Sequence, residues 1–276
     1  MKKIIFLNIL FLFTTLLAQE INFYGEAKPG GIVIGVGKNI VSAFLNETKL
    51  QVDKSGAFVF GFDRDAKGET KLKLSFKNRK TETYEYTLEP RQYEEQRLTL
   101  AKKYVTPPRK ELNRIKRENQ MMKTARAKVG KVKDALFMVG FAYPVDSVDI
   151  GSTFGVQRIL NGKPSNVHNG LDFRAKEGDS IYAISDGIVR IAGNNFFYNG
   201  NFILLDHGQG LTSVYLHMSK IIAKDGAKVK KGELIGLAGS TGRATGPHLH
   251  LGVQWHKERI DPMFLFTINL PSNEGI

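Results

Sequence analysis

The sequence predicts a mainly β protein: an N-terminal antiparallel β-sandwich, a basic helical linker and a C-terminal antiparallel β-barrel or sandwich. Three observations carry this. Residues 19–100 are rich in period-two runs broken by turn residues, residues 101–134 change sharply to helix-forming charged residues, and residues 142–266 return to short strands with a glycine at nearly every corner. The reading divides the chain into 1–18, 19–100, 101–135 and 136–276.

Met1, Lys2 and Lys3 precede an apolar stretch from Ile4 to Leu17, interrupted by Asn8, Thr14 and Thr15, and Ala18 then meets Gln19 and Glu20. This is the pattern of a secretory signal peptide over residues 1–18, too short for a membrane span of about 20 residues. An uncleaved N-terminal anchor is the alternative. Either places the body of the protein outside the cytoplasm.

In residues 19–100 the runs Gly31–Val36, Ala57–Phe60, Thr70–Phe76 and Thr83–Leu88, with turns such as Asp53–Gly56, suit a small sandwich. This stretch holds no histidine and no chemical constellation, so it is read as a binding, spacing or gating module. Thr106-Pro107-Pro108 offers an N-cap and a proline at the first helical position, and about twenty strong helix formers follow. Residues 101–134 carry 12 basic and 3 acidic residues, a net of +9 in a chain whose total is +13. The charge excess therefore sits in one polar helix, read as a surface for an anionic envelope polymer or a membrane. Nucleic acid is not expected as a partner, because the helix lacks stacking aromatics apart from Tyr104 and the chain is exported.

The chain has no cysteine, which excludes a disulfide framework, a thiolate metal site and a cysteine nucleophile. Any metal must be held by His, Asp or Glu. All 6 histidines fall in the C-terminal segment. His168 and Asp172 stand four apart around Gly170. His248 and His250 flank Leu249, so in a strand both imidazoles share one face while Leu249 and Leu251 enter the opposite layer. His217 ends the strand-like run Val214–Leu216. Four imidazoles and one carboxylate suit Zn²⁺, whose catalytic sites take three protein ligands and keep one place for water; two of the five candidates then remain for proton transfer. His207 is read as a turn residue, His256 as a surface residue and Asp261-Pro262 as a chain-turning element.

At these residues the chain resembles the M23 family of zinc metallopeptidases, the lysostaphin and LytM type that cuts peptide bonds in peptidoglycan. The resemblance runs from about Tyr143 to Phe266. It rests on Gly155-Val156-Gln157-Arg158, His168-Asn169-Gly170-Leu171-Asp172, Asp206-His207-Gly208, Tyr215-Leu216-His217, Val229–Gly236, Gly239-Ser240-Thr241-Gly242, Gly246-Pro247-His248-Leu249-His250 and Asp261-Pro262. It implies one zinc per chain held by His168, Asp172 and His250, with His217 and His248 as the catalytic pair beside a metal-bound water. Ser240 and Thr241 are expected to wall the substrate groove.

The function so implied is an exported zinc endopeptidase with peptidoglycan as its partner, acting in a Gram-negative periplasm on D-alanyl-diaminopimelate cross-links, with carboxypeptidase activity as an addition. The alternative is a non-catalytic relative that regulates other wall hydrolases; the five intact positions favour activity.

Overall fold

The computed structural model describes residues 21–99, 107–164 and 167–271. The signal peptide expected over residues 1–18 and the cap expected at Thr106 lie outside the described residues. Seven strands come first: β1 (Ile21–Gly25), β2 (Ile32–Gly37), β3 (Ile40–Leu45), β4 (Thr48–Leu50), β5 (Ala57–Gly61), β6 (Gly68–Phe76) and β7 (Thr81–Leu88). They form two antiparallel sheets, ordered β1-β2-β5 and β4-β3-β6-β7. In β6 the buried residues Leu72, Leu74 and Phe76 alternate with exposed Lys71 and Lys73, so one face is committed to the core. Ile32, Ile34, Phe58 and Phe60 are also fully buried, and the rings of Phe60 and Tyr86 stand 6.1 Å apart across the sandwich.

Strand β5 departs from alternation, because all of Ala57–Gly61 is buried. Its second face is covered by the C-terminal half of the chain. Gln209 Nε2 donates to the Ala57 carbonyl at 3.0 Å, and Ile260 Cδ1 lies 2.5 Å from where a Cβ on Gly61 would be. Arg91 pairs with Asp261 at 2.8 Å, and Arg64 Nε donates to the Gly155 carbonyl at 2.9 Å. The sandwich is therefore fused to the rest through a continuous core.

Strand β8 (Glu95–Leu98) follows, and then helix α1 (Leu112–Arg126), entered through a 3₁₀ turn at Arg109–Glu111. Pro108 sits before that turn, and the residue capping α1 is Glu111, whose side chain makes no capping bond. The helix is not a free connector. Ala125 is buried against Ile191, Phe196, Phe202 and Leu204, with Met122 beside it. Glu118 accepts the Phe197 backbone N–H at 2.9 Å. Only Met122 and Ala125 of this polar helix enter that seat, too narrow a stripe to reveal it in sequence.

The remaining elements are β9 (Ile150–Ser152), β10 (Gln157–Leu160), β11 (Lys163–Pro164), β12 (Leu171–Arg174), β13 (Ser180–Tyr182), β14 (Gly187–Phe196), β15 (Gly200–Asp206), β16 (Leu211–Met218), β17 (Lys220–Ile221), β18 (Lys228–Val229), β19 (Leu234–Leu237), β20 (His248–Trp255), β21 (Glu258–Ile260) and helix α2 (Pro262–Phe266). The main sheet runs β18-β14-β15-β16-β20-β12-β9, with β21 also on β20, and is antiparallel throughout. Its inner face buries Leu171, Phe173, Tyr215, Leu249 and Leu251 completely. A small sheet, β13-β19-β17, packs beside it. In a third, β11-β10-β8, strand β10 runs parallel to β8, so a strand from before the helix completes an edge of the C-terminal half. Asp261 caps α2, accepting from the Met263 N–H at 3.1 Å, which agrees with a chain-turning Asp-Pro.

Among the described residues no helix is long and apolar enough to cross a membrane. Phe202 joins the main sheet to α1, with its ring filling the space a side chain at Gly193 would take, 2.1 Å from that position. Phe202→Ala should destabilise the fold by about 3–5 kcal/mol in denaturant titrations.

Candidate active site

Registers within the main sheet bring the predicted residues together. Asp172 on β12 is directly opposite His250 on β20, and Leu216 on β16 faces His250 from the other side. Since Leu249 and Leu251 point inward, Asp172, His248 and His250 share the outer face. His168 reaches them from the preceding loop, whose backbone is pinned by paired bonds: His168 N–H to the Val156 carbonyl and Gly155 N–H to the His168 carbonyl, each 2.8 Å.

Three side-chain atoms converge. His168 Nε2 lies 2.9 Å from Asp172 Oδ1 and 3.0 Å from His250 Nδ1, and His250 Nδ1 lies 2.7 Å from Asp172 Oδ1. His168 Nδ1 is 2.7 Å from the Thr153 carbonyl, which can only accept, so Nδ1 carries the proton and Nε2 offers its lone pair inward. The other oxygen of Asp172 is held by Arg158 Nη2 at 3.0 Å. Burial opposes ionisation of Asp172, but the adjoining His168 and His250 imidazoles outweigh it and hold the carboxyl well below the usual range. Two imidazole nitrogens and a carboxylate oxygen around one point are a donor set that fits zinc.

His217 arrives by a different route. In regular alternation it would share the inner face with Tyr215. A β-bulge between the pairs Asn201↔Met218 and Ile203↔Tyr215 inserts one extra residue into β16, and His217 takes φ +67° there. That left-handed backbone, uncommon for a side-chain-bearing residue, turns the ring onto the face of His248 and His250. Its centroid lies 4.9 Å from that of His248 and 6.3 Å from that of His250. His217 Nδ1 donates to the Thr241 carbonyl at 2.8 Å and His248 Nδ1 to the Gly246 carbonyl at 2.8 Å, so both leave Nε2 free as an acceptor. Burial, aided by neighbouring His250 and His248, pushes His217 down to about 3, leaving it a neutral base at pH 7.

All five residues line one cleft of about 400 Å³. Ser240 and Thr241 are not among its lining residues. Ser240 is exposed, and the Thr241 hydroxyl bonds the Met218 carbonyl at 2.7 Å and the Asn201 N–H at 2.9 Å. Thr241 serves the site through its carbonyl, which orients His217. His207 lies in the turn after β15 yet is fully buried, with Nδ1 donating to the Asp186 carbonyl and Nε2 against Ser213 Oγ, both at 2.7 Å. His256 is exposed, as expected. Arg158, Arg174 and Arg243 also line the cleft, and local sequence pattern gives them no site role. Arg158 does fall within Gly155-Val156-Gln157-Arg158, one of the stretches that carry the family resemblance.

Residues 166–262 match the model of peptidase family M23. Peptidoglycan DD-endopeptidase ShyA of Vibrio cholerae is 46% identical over 110 residues, which cover 39% of this chain and 25% of that protein. DD-carboxypeptidase/endopeptidase Mpg of Neisseria meningitidis is 33% identical over 131 residues, 48% of this chain and 29% of that one. The matches thus span little more than a quarter of the length of these relatives. A crystal structure described as a putative peptidase M23 from Pseudomonas aeruginosa superposes with a TM-score of 0.63 at 27% identity, covering 87% of this chain and 95% of the other. That likeness extends past the M23 stretch into the N-terminal sandwich.

A Cβ on Gly170 would lie 2.4 Å from the Leu251 carbonyl oxygen and 2.6 Å from His250 Nε2. Gly170→Ala should displace the His250 ring and weaken zinc binding about 10–100-fold in a chelator competition titration. In addition, burial holds His207, His217 and His250 below the ordinary imidazole value. An unfolded chain takes up protons near pH 6.5 that the folded metal-free protein refuses, so stability is full above about pH 6.5 and is lost as pH falls below it. Urea midpoints should decline from pH 7.5 to 5, less steeply in His217→Gln; a flat profile would contradict this.

Proposed function

We propose that this chain is an exported, zinc-dependent peptidoglycan hydrolase that cleaves peptide cross-links as a D,D-endopeptidase on D-alanyl-diaminopimelate bonds. The convergence of His168 Nε2, Asp172 Oδ1 and His250 Nδ1 in a cleft flanked by two further imidazoles carries the reading. The M23 match and the activities for which the relatives ShyA and Mpg are named support the substrate. Export follows from the N-terminal sequence pattern and from the location of such a substrate outside the cytoplasm.

His168, Asp172 and His250 would hold the zinc, which when bound polarises a carbonyl as a Lewis acid and brings the pKa of water near 7. The chain's own residues do the rest. Arg158 fixes the outer oxygen of Asp172, and the Thr153 carbonyl fixes the tautomer of His168. His217 and His248, with Nδ1–H committed to carbonyls, can each accept a proton at Nε2 and, once protonated, donate from that atom to a developing oxyanion or the departing amine. Because these two rings stand beside the ligand set and not within it, proton transfer and metal binding are separable by mutation.

Purified sacculi incubated with the zinc-loaded protein should release peptides, a chelator should stop the release, and added zinc should restore it. His168→Ala should be inactive. His217→Ala and His248→Ala should retain zinc while losing about 10²–10⁴-fold in rate. No release by the wild type, or cleavage confined to oligoglycine bridges, would overturn the assignment.

A further inference from the structure

The cleft has an uneven charge inventory. Three guanidinium groups line it, from Arg158, Arg174 and Arg243, and Asp172 is the one carboxylate in its lining. Arg174 is neutralised by Asp149 at 2.7 Å and Arg158 is bound to Asp172 at 3.0 Å. Among the described residues Arg243 has no acidic partner. It is nonetheless not adrift: its backbone N–H donates to the Tyr198 carbonyl at 2.9 Å, and its guanidinium lies over the Tyr198 ring, 4.8 Å from the centroid. A half-buried cation held in place over an aromatic ring, without an anion, is poised to receive one.

A second observation, independent of the first, comes from Arg158. Its Nε is buried and has no hydrogen-bond partner among the described residues, so the donors of this guanidinium, already bound to the metal-ligating carboxylate, are not all matched there. Buried donors without acceptors are rare because each forfeits its solvation. Burial and the nearby charge of Arg158 also lower the proton affinity of Arg243, which places the two cations close enough to repel. An anion entering the cleft relieves the repulsion between the two guanidinium groups.

We propose that Arg243, with Arg158 beside it, binds a free carboxylate of the substrate on the amine side of the scissile peptide bond. Arg158 is one hydrogen bond from Asp172, so an anion that reaches it lies next to the reacting centre, where a carboxylate on the carbon attached to the scissile nitrogen would fall. The inference rests on the reading of this chain as a peptide hydrolase and narrows its substrate class. The departing amine carries an adjacent free carboxylate, as in a D-alanyl-diaminopimelate cross-link or a terminal D-alanyl-D-alanine, and not an extended peptide continuation. One anion-binding place then serves both endo- and carboxypeptidase bonds, whose amine sides are alike in this respect.

The test measures binding of N-acetyl-D-alanyl-D-alanine and of its C-terminal amide to the zinc-loaded full chain, in the His217→Ala background to slow turnover, by calorimetry. The acid should bind about 10–100-fold more tightly than the amide, the range expected when a charge-assisted bidentate pair is gained. Arg243→Gln should abolish that preference while leaving amide affinity unchanged, and Arg243→Lys should recover part of it. Equal affinities in the parent, or a preference that survives Arg243→Gln because the carboxylate binds zinc directly, would overturn the proposal. Binding is read without hydrolysis, so the two ideas fail separately: sacculi left intact alongside a clear acid preference would sink only the hydrolase reading, and active hydrolysis without the preference would sink only the carboxylate site.

Discussion

The register of β12 and β16 against β20 is the constraint on which the site depends. With Asp172 opposite His250, and with Leu249 and Leu251 sealed in the core, every polar group of the motif falls on one face of the sheet. A one-residue slip would drive both imidazoles into the apolar layer and both leucines into water. The two fully buried leucines thus hold the chemistry in place by making that slip too unfavourable.

Around this register the local backbone does the finer placement. Gly170 lets the His250 ring lie against the chain, and the Thr153, Thr241 and Gly246 carbonyls each claim the Nδ1 proton of one histidine. Each bond is an ordinary one, but together they settle which nitrogen of His168, His217 and His248 faces the cleft. Asp172 is engaged on both oxygens, which is how a largely buried carboxylate stays ionised. The strain at His217, a non-glycine residue in the left-handed region, is borne by the surrounding sheet and is spent on aim.

The N-terminal half takes part in this architecture. Strand β5 is buried on both faces, and β8 extends the sheet edge formed by β10 and β11, bringing Gln96 into the lining of the cleft. The basic helix lies on the outer face of the main sheet through Met122 and Ala125, near Val214 and Leu216, with Glu118 bonded to the Phe197 backbone and Lys116, Arg117 and Lys123 exposed to solvent. Its seat stabilises the sheet that carries the site, and the strong charge of the segment leaves that role invisible in composition.

The sequence by itself determined the mainly β class, the absence of thiolate chemistry and the sharing of one face by His248 and His250, because the two-residue period of a strand is a local property. It also supplied His168 and Asp172 as candidates, since a glycine between a histidine and a carboxylate permits a tight return. Tertiary structure decided what local pattern cannot encode. The bulge that turns His217 outward follows from pairing with β15, against an alternation that would place it in the core. Thr241, expected as a wall of the groove, holds His217 through its carbonyl while its hydroxyl is committed to Met218 and Asn201. Arg158 on β10 and Arg243, 85 residues further on, line one cleft only in the folded chain, and a charge acquires a role only when its neighbours are known.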